Sequence, residues 1–126
     1  GETILVVEDE QAVRRLVRDM LVRHGYRVLE AENGREALRL FQTHQHEIAL
    51  LLTDVVMPEM NGRELARHLR ARRAELKVLY MSGYTGDAIG ESGGIEPGAA
   101  FIQKPFTPRT LLRRVREALA DASHNA

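Results

Sequence analysis

Two kinds of hydrophobic pattern alternate along the chain. Short, mainly apolar runs predict buried strands at residues 3–7, 27–31, 48–53, 77–81 and 99–103. Between these runs, apolar residues recur at helical spacing, which predicts helices at residues 11–24, at residues 34–44, after Asn61 and after Thr107. Asn61 and Thr107 are residues of the kind that cap a helix N-terminus.

The predicted helices are amphipathic. Their arginines, such as Arg14 and Arg18, are expected to lie on solvated faces. The apolar stripe of the first predicted helix consists of Val13, Leu16, Val17, Met20 and Leu21.

The alternation of strands and helices predicts the fold. Strands that are separated by helices pair in parallel, because each helix returns the chain to the starting edge of the sheet. Strands that are mainly apolar, rather than alternating between apolar and polar residues, indicate a sheet covered on both faces. The pattern therefore predicts a doubly wound, flavodoxin-like α/β domain, with a five-stranded parallel sheet and flanking helices.

One interval breaks this rhythm. Residues 85–98 occupy the place of the fourth crossover helix, but they contain five glycines and a proline. Glycine costs about 1 kcal/mol per helical position relative to alanine. We therefore expect the fourth crossover helix to be short or irregular.

Composition narrows the range of functions. A chain of 126 residues suits one domain, here 1–126, with residues 122–126 expected to fray. Lys plus Arg and Asp plus Glu number 18 each, so no net basic field is available to hold nucleic acid or an anionic membrane. The chain contains no cysteine, which excludes disulfides and thiolate chemistry. No signal peptide or membrane-spanning run is visible, so a cytoplasmic location is expected.

Charged and polar residues follow the predicted strands at the points where they end. Glu8 and Asp9 follow the first strand, Asp54 the third, Ser82 the fourth and Lys104 the fifth. In a doubly wound sheet the carboxyl ends of the strands form the functional edge, so these side chains are expected to cluster. Crowded carboxylates repel one another, and a hard cation such as Mg²⁺ relieves the repulsion. An aspartate beside such a cation suits nucleophilic attack on a phosphoryl group.

Four segments in this order resemble the receiver domains of bacterial two-component response regulators. They are "ILVVEDE", "LLLTDVVMPEMNG", "VLYMSGYT" and "FIQKPF", and together they cover nearly the whole chain. The residues of these segments are most similar to those of receivers fused to hybrid sensor histidine kinases. A first residue of Gly rather than Met suggests a segment of a longer polypeptide.

The resemblance implies a magnesium site, in which Mn²⁺ can substitute. Asp9 and Asp54 would be direct ligands, and Glu8 would act through water. The backbone carbonyl of Val56 would complete the protein ligands.

The resemblance also assigns the phosphoryl chemistry. Asp54 would be the phosphoacceptor, with Ser82 and Lys104 contacting the phosphoryl group, and a cis bond before Pro105 would aim Lys104 inward. Phe101 stands at the aromatic switch position, where Tyr is common in the family. The implied partner is a histidine kinase or a histidine phosphotransfer domain, and the same longer chain is one source of it. Because the fourth crossover is expected to be irregular, we favour a monomer over the usual dimerising output.

The sequence therefore predicts a phosphoacceptor signalling module that catalyses only its own phosphorylation and dephosphorylation. A receiver fold that serves only as a phosphorylation-independent interaction scaffold is the main alternative. An aspartate-nucleophile phosphatase of the haloacid-dehalogenase kind would place a second acid two residues after Asp54, where this chain has Val56. A flavodoxin-like cofactor site is disfavoured, since "EDE" after the first strand would repel a phosphate.

Overall fold

The computed structural model describes residues 1–83 and 99–120. Within these residues, the strands are β1 (Thr3–Val7), β2 (Arg27–Ala31), β3 (Ile48–Asp54), β4 (Lys77–Ser82) and β5 (Ala100–Gln103). The helices in the same residues are α1 (Gln11–Arg23), α2 (Gly34–His44), α3 (Gly62–Arg72) and α4 (Pro108–Ala120). Each of these elements was predicted, with ends that differ by about one residue. The predictions of an irregular fourth crossover helix and of a frayed tail at 122–126 fall outside the described residues.

The five strands form one sheet in the order β2-β1-β3-β4-β5, and every neighbouring pair is parallel. This order confirms the predicted doubly wound sheet. The strands also end nearly level at their carboxyl edge. The register pairs at that edge are Val7 with Thr53, Asp54 with Met81, and Ser82 with Gln103.

Two hydrophobic layers cover the sheet, one on each face. Alternate strand residues point to opposite faces, so each strand contributes to both layers. The layer under α2 and α3 includes the buried residues Leu5, Val7, Leu51, Val78, Tyr80, Phe41, Leu65 and Leu69. The layer under α1 and α4 includes Ile4, Val6, Leu50, Leu52, Met81, Ile102, Val17, Leu21 and Val115. Burying one Leu or Phe side chain of this kind stabilises a fold by about 1.5–3 kcal/mol.

Side chains cap the last two helices as the sequence predicts. At α3, Asn61 Oδ1 accepts a hydrogen bond from the Glu64 N–H at 2.8 Å, and Glu64 Oε1 accepts one from the Asn61 N–H at 3.0 Å. This reciprocal pair is a capping box. At α4, Thr107 Oγ1 accepts from the Thr110 N–H at 3.1 Å.

The expected apolar stripe of α1 is wrong at one position. Val17 and Leu21 are fully buried, but Leu16 is 55% exposed. At about 100° per residue, Leu16 lies about 120° around the helix from the middle of the Val17–Leu21 stripe, which is too far to reach the sheet.

No helix within residues 1–83 and 99–120 is long and apolar enough to cross a membrane.

The start of α3 is pressed against the end of β3. The Gly62 N–H donates to the Val55 carbonyl at 2.8 Å, and a Cβ built on Gly62 would lie 2.1 Å from the carbonyl oxygen of Asp54. No real Cβ tolerates that distance from a backbone atom. Gly62 therefore fixes how closely the helix can approach Asp54.

We predict that Gly62→Ala lowers the free energy of unfolding by about 1–3 kcal/mol, because the added methyl group must push apart two backbone segments. A loss of stability is informative in itself, since alanine in a helix is otherwise favoured over glycine by about 1 kcal/mol and would raise the free energy of unfolding. Urea denaturation measures the change. Gly83→Ala is the matched control, because no atom of residues 1–83 or 99–120 lies within 4 Å of a Cβ at that position. Equal effects of the two substitutions would contradict the close approach at Gly62.

Candidate functional site

Three charged side chains meet on one side of the sheet, beyond the carboxyl ends of its strands. Glu8, Asp54 and Lys104 each come two positions after a residue of the core layer under α1 and α4. Those preceding residues are Val6, Leu52 and Ile102. Because strand side chains alternate with a period of two, the three charged groups continue the same face at the edge of the sheet.

Lys104 joins the two carboxylates directly. Its Nζ donates to Glu8 Oε1 at 2.6 Å and to Asp54 Oδ2 at 3.0 Å. Its backbone N–H donates to the Ser82 carbonyl at 2.7 Å, which extends the pairing of β4 and β5 by one residue. The Lys104–Pro105 peptide is cis, as the resemblance implies.

Glu8 is fully buried and is held at several atoms. Its Oε1 accepts from Lys104, and its Oε2 accepts from the backbone N–H of Glu10 at 3.0 Å. Its own N–H donates to the Ala31 carbonyl at 3.1 Å. A buried carboxylate is tolerated when a cation and hydrogen-bond donors compensate its charge, and Glu8 has both.

Asp54 occupies the end of β3 and is 7% exposed. Burial, followed by the negative charge of Glu8, raises the pKa of Asp54 to about 6. Lys104 opposes this shift and offsets only part of it. For Lys104, burial lowers the pKa, but the hydrogen bonds and charges of Glu8 and Asp54 outweigh burial and raise it overall. The ammonium of Lys104 therefore stays protonated, but its charge does not fully offset the burial of Asp54 and the repulsion from Glu8.

Asp9 adds a third carboxylate on the solvent side. Partial desolvation and contact with Glu8 raise its pKa. Glu8, Asp9 and Asp54 can each offer one oxygen such that all three oxygens lie within 4.8 Å of one another. Carboxylate oxygens are the ligands that Mg²⁺ prefers, and one ammonium does not balance three carboxylates. The donor set and its charge therefore fit a hard divalent cation.

The other predicted site residues lie around this cluster. Ser82 is buried at the end of β4, in the strand next to Asp54. Val56 lies two residues beyond Asp54, and its side chain is 63% exposed. Phe101 is half-buried, lies beside Tyr80 in register and packs against the layer under α2 and α3. The structure thus brings Glu8, Asp9, Asp54 and Lys104 together. Phe101 lies on the other face of the sheet, in the layer under α2 and α3, whereas Ile102 lies in the layer under α1 and α4.

Arg14 belongs to the surroundings of this cluster, although the helical pattern of the sequence did not place it there. We expected a solvated arginine, but the Arg14 side chain is 13% exposed and its Nη1 donates to the Glu8 carbonyl at 2.8 Å. Its Nε lies 3.3 Å from Glu30 Oε1, and Arg18 reaches the other oxygen of Glu30 at 3.1 Å. One signal was present in the sequence: Glu30 is an acid inside a predicted strand, and such an acid needs a cation nearby.

Comparison with known proteins gives a consistent result. The family described as "Response regulator receiver domain" matches residues 4–116. The sensor kinase CckA of Brucella abortus is 39% identical over 117 residues, which are 93% of this chain and 12% of that protein. The response regulator receiver protein CpdR of the same organism is 34% identical over 119 residues, which are 94% of this chain and 98% of CpdR. The chain thus spans a small part of CckA and nearly all of CpdR.

Solved structures agree with the sequence matches. The receiver domain of the hybrid histidine kinase CckA is 38% identical, with a TM-score of 0.79, over 93% of this chain and 98% of that one. The response regulator TrrA of Thermotoga maritima, solved in complex with Mg²⁺ and BeF, is 28% identical, with a TM-score of 0.79. That alignment covers 94% of this chain and 99% of TrrA.

We predict that Asp54→Asn stabilises the metal-free protein above about pH 6 and changes its stability little near pH 4. The folded-state pKa of Asp54 is about 6 instead of the usual 3.8, so the native protein binds this proton more tightly than the unfolded chain does. Wild type should therefore lose stability as pH rises from about 4 to about 6, whereas Asn carries no such loss. The difference should reach about 1–2 kcal/mol, because water still reaches part of the carboxylate.

Urea unfolding in EDTA across this pH range measures the effect. Asp19→Asn removes an exposed carboxylate of α1 and should keep the wild-type pH dependence. Parallel pH profiles for wild type and Asp54→Asn would contradict a desolvated, repelled carboxylate at residue 54.

We also predict that Lys104→Ala lowers the free energy of unfolding by about 3–5 kcal/mol in the absence of metal, because it leaves the buried Glu8 carboxylate without its cation. Lys77→Ala is the matched control: Lys77 Nζ donates to a backbone carbonyl, that of Leu119, and its loss should cost about 1 kcal/mol. Chemical denaturation in EDTA distinguishes the two. A similar cost for both variants would show that Glu8 does not depend on Lys104.

Proposed function

The chain belongs to the family of response regulator receiver domains, and from this membership we propose that it accepts a phosphoryl group on Asp54 within a two-component phosphorelay. The predicted family, and the predicted similarity to receivers of hybrid kinases, are confirmed. The observation that carries the proposal is the contact of the Asp54 carboxylate with Lys104 Nζ at 3.0 Å, in a cluster completed by Glu8 and Asp9.

Asp54 is suited to act as the nucleophile. With a pKa of about 6, most of its carboxylate is ionised at neutral pH, so an oxygen lone pair is available to attack phosphorus. In the proposed step an Asp54 oxygen forms a bond to phosphorus while the bond from phosphorus to the donor histidine nitrogen breaks. The histidine ring leaves with that electron pair and takes up a proton from solvent. Lys104 keeps the Asp54 carboxylate oriented during the approach of the donor.

The acidic cluster is proposed to hold Mg²⁺, with Mn²⁺ as a substitute. Asp9, Asp54 and the Val56 carbonyl would bind it directly, and Glu8 would bind through water. When bound, the ion supplies positive charge to the transferring phosphoryl oxygens and to the crowded carboxylates. The complex of TrrA with Mg²⁺ and BeF supports the assignment by similarity. Both carboxylate oxygens of Glu8 already accept hydrogen bonds, from Lys104 Nζ and from the Glu10 N–H, whereas Lys104 Nζ contacts Asp54 at Oδ2; this favours Asp9 and Asp54 for direct ligation.

The phosphorylated state is proposed to be read through Lys104, Ser82 and Phe101. A phosphoryl group adds about 1.5–2 negative charges, which attract Lys104 and a hydroxyl donor such as that of Ser82. Ser82 is held next to Lys104 by the hydrogen bond between their backbones. Phe101 has no hydroxyl, so its part in switching would be a change in packing against the layer under α2 and α3.

The phosphoryl donor is proposed to be a histidine kinase or a histidine phosphotransfer domain. The chain matches a 12% portion of the kinase CckA and 98% of the receiver protein CpdR, so a donor in the same longer chain and a separate donor are both compatible with its relatives. The domain itself would catalyse only its own phosphorylation and dephosphorylation. A monomer is the favoured state.

We predict that incubation with acetyl phosphate and Mg²⁺ adds one phosphoryl group to the wild-type chain, because acetyl phosphate can replace the histidine donor. Intact mass spectrometry measures the gain, with EDTA replacing Mg²⁺ in a parallel sample. Asp54→Asn should show no gain, and Asp19→Asn, which alters an exposed aspartate, should behave as wild type. A gain in EDTA, or an equal gain in Asp54→Asn, would overturn the proposal.

A further inference from the structure

We propose that Arg14 is a positioning residue for cation binding at the carboxylates of Glu8, Asp9 and Asp54. The inference rests on the proposed function of this site, because it concerns the cation that the site would hold. Arg14 lies in the first turn of α1, and its guanidinium reaches the backbone of β1's end instead of solvent. No part of the family resemblance assigns it a role.

The first observation is how completely Glu8 is fixed. Its N–H donates to Ala31, and its two carboxylate oxygens accept from Lys104 and Glu10. Its carbonyl oxygen accepts from Arg14 Nη1 at 2.8 Å. Arg14 thus holds the one polar backbone atom of Glu8 that the sheet and the carboxylate contacts do not hold.

The second observation is what that carbonyl controls. The Glu8 carbonyl and the Asp9 N–H belong to one planar peptide unit, so fixing the carbonyl direction also fixes the direction in which the chain enters Asp9. Asp9 is exposed, and little packing constrains its side chain. The orientation of this peptide, together with the contact of the Asp9 side chain with Glu8, therefore aims the Asp9 carboxylate toward the cluster.

The third observation is that Arg14 is itself anchored at both ends. Its backbone N–H donates to the Glu10 carbonyl at 2.9 Å, and its Nε lies 3.3 Å from Glu30 Oε1. The guanidinium plane can donate to a carboxylate and a carbonyl at once, which a lysine ammonium on a flexible stem does less well. Glu30 therefore sets the position of Arg14, and Arg14 sets the position of the Glu8–Asp9 peptide.

A purely electrostatic role and a positioning role of Arg14 predict opposite changes in Mg²⁺ affinity when Arg14 is removed. A positive charge beside a cation site repels the cation, so removing that charge should tighten Mg²⁺ binding by electrostatics alone. If Arg14 acts by positioning, its removal should weaken binding, because partners that orient metal ligands are typically worth about 10–100-fold in affinity. The sign of the change decides between the two.

The experiment titrates Mg²⁺ alone into ¹⁵N-labelled wild type, Arg14→Gln and Arg14→Lys, and obtains Kd from amide shift changes. We expect Kd to rise about tenfold in Arg14→Gln and to recover in part in Arg14→Lys. Arg15→Gln is the matched control, since it removes the same charge from the neighbouring exposed residue. Its Kd should fall slightly or stay within about twofold of wild type.

A second variant tests the route through Glu30. Glu30→Gln keeps Arg14 but removes its carboxylate partner, and it should raise Kd less than Arg14→Gln does. Added to Arg14→Gln, it should change Kd by less than about twofold, because Glu30 would act through Arg14. Full additivity of the two substitutions would exclude this route. Dispersed amide spectra without Mg²⁺ identify variants that fold, and Arg14→Lys replaces Arg14→Gln in the comparison if the latter does not.

The outcomes separate this inference from the proposed function. If wild type binds no Mg²⁺, the proposed metal site fails. If wild type binds Mg²⁺ and Arg14→Gln binds it equally or more tightly, the site stands and the positioning role of Arg14 is overturned. A further check uses saturating Mg²⁺, where Arg14→Gln should regain a near-wild-type rate of phosphorylation by acetyl phosphate. A rate that stays low at saturation would contradict a role confined to cation binding.

Discussion

The ammonium of Lys104 lies between the carboxylates of Glu8 and Asp54, and the electrostatics of this edge of the sheet depends on that position. Without a cation there, Glu8 would be a fully buried charge just after β1, and within residues 1–83 and 99–120 its carboxylate would keep the Glu10 N–H as its donor. With it, Glu8 is satisfied, while Asp54 remains only partly compensated and keeps a raised pKa. One lysine thus compensates the charge of Glu8 and only part of the charge repulsion and burial at Asp54.

The backbone around Asp54 is as constrained as its charge. The capping box at Asn61 fixes where α3 begins, and Gly62 brings that helix to the back of the Asp54 peptide. Hydrogen bonds from the Val55 N–H to the Met81 carbonyl, and from the Gly62 N–H to the Val55 carbonyl, continue the support beyond the last strand residue. A carboxylate on such a base moves little, which would favour a reproducible angle of approach for a phosphoryl donor in the proposed function.

The sequence predicted the parts of this molecule that follow from periodicity. Apolar runs gave the strands, and the level ends of parallel strands brought Glu8, Asp54 and Lys104 together, as their positions after those runs implied. Arg14 escaped prediction because an arginine near the start of a helix can extend outward or fold back, and its spacing is the same in both cases. Leu16 was misplaced because five apolar residues on α1 exceed the width of stripe that a helix on this sheet can bury. The sequence therefore predicted which elements form, but it did not predict the direction in which side chains such as those of Arg14 and Leu16 point.

The Lys104–Glu8 contact joins residues 96 positions apart in the chain. All three carboxylates of the cluster lie in the first half of the sequence, and Lys104 follows β5, the last strand of the sheet along the chain. During synthesis, the acidic residues therefore exist for a time without their partner, and long-range contacts of this kind form late because closing the intervening chain costs entropy. If Asp54 is the phosphoacceptor as proposed, its site would be complete only after β5 has joined the sheet and delivered Lys104.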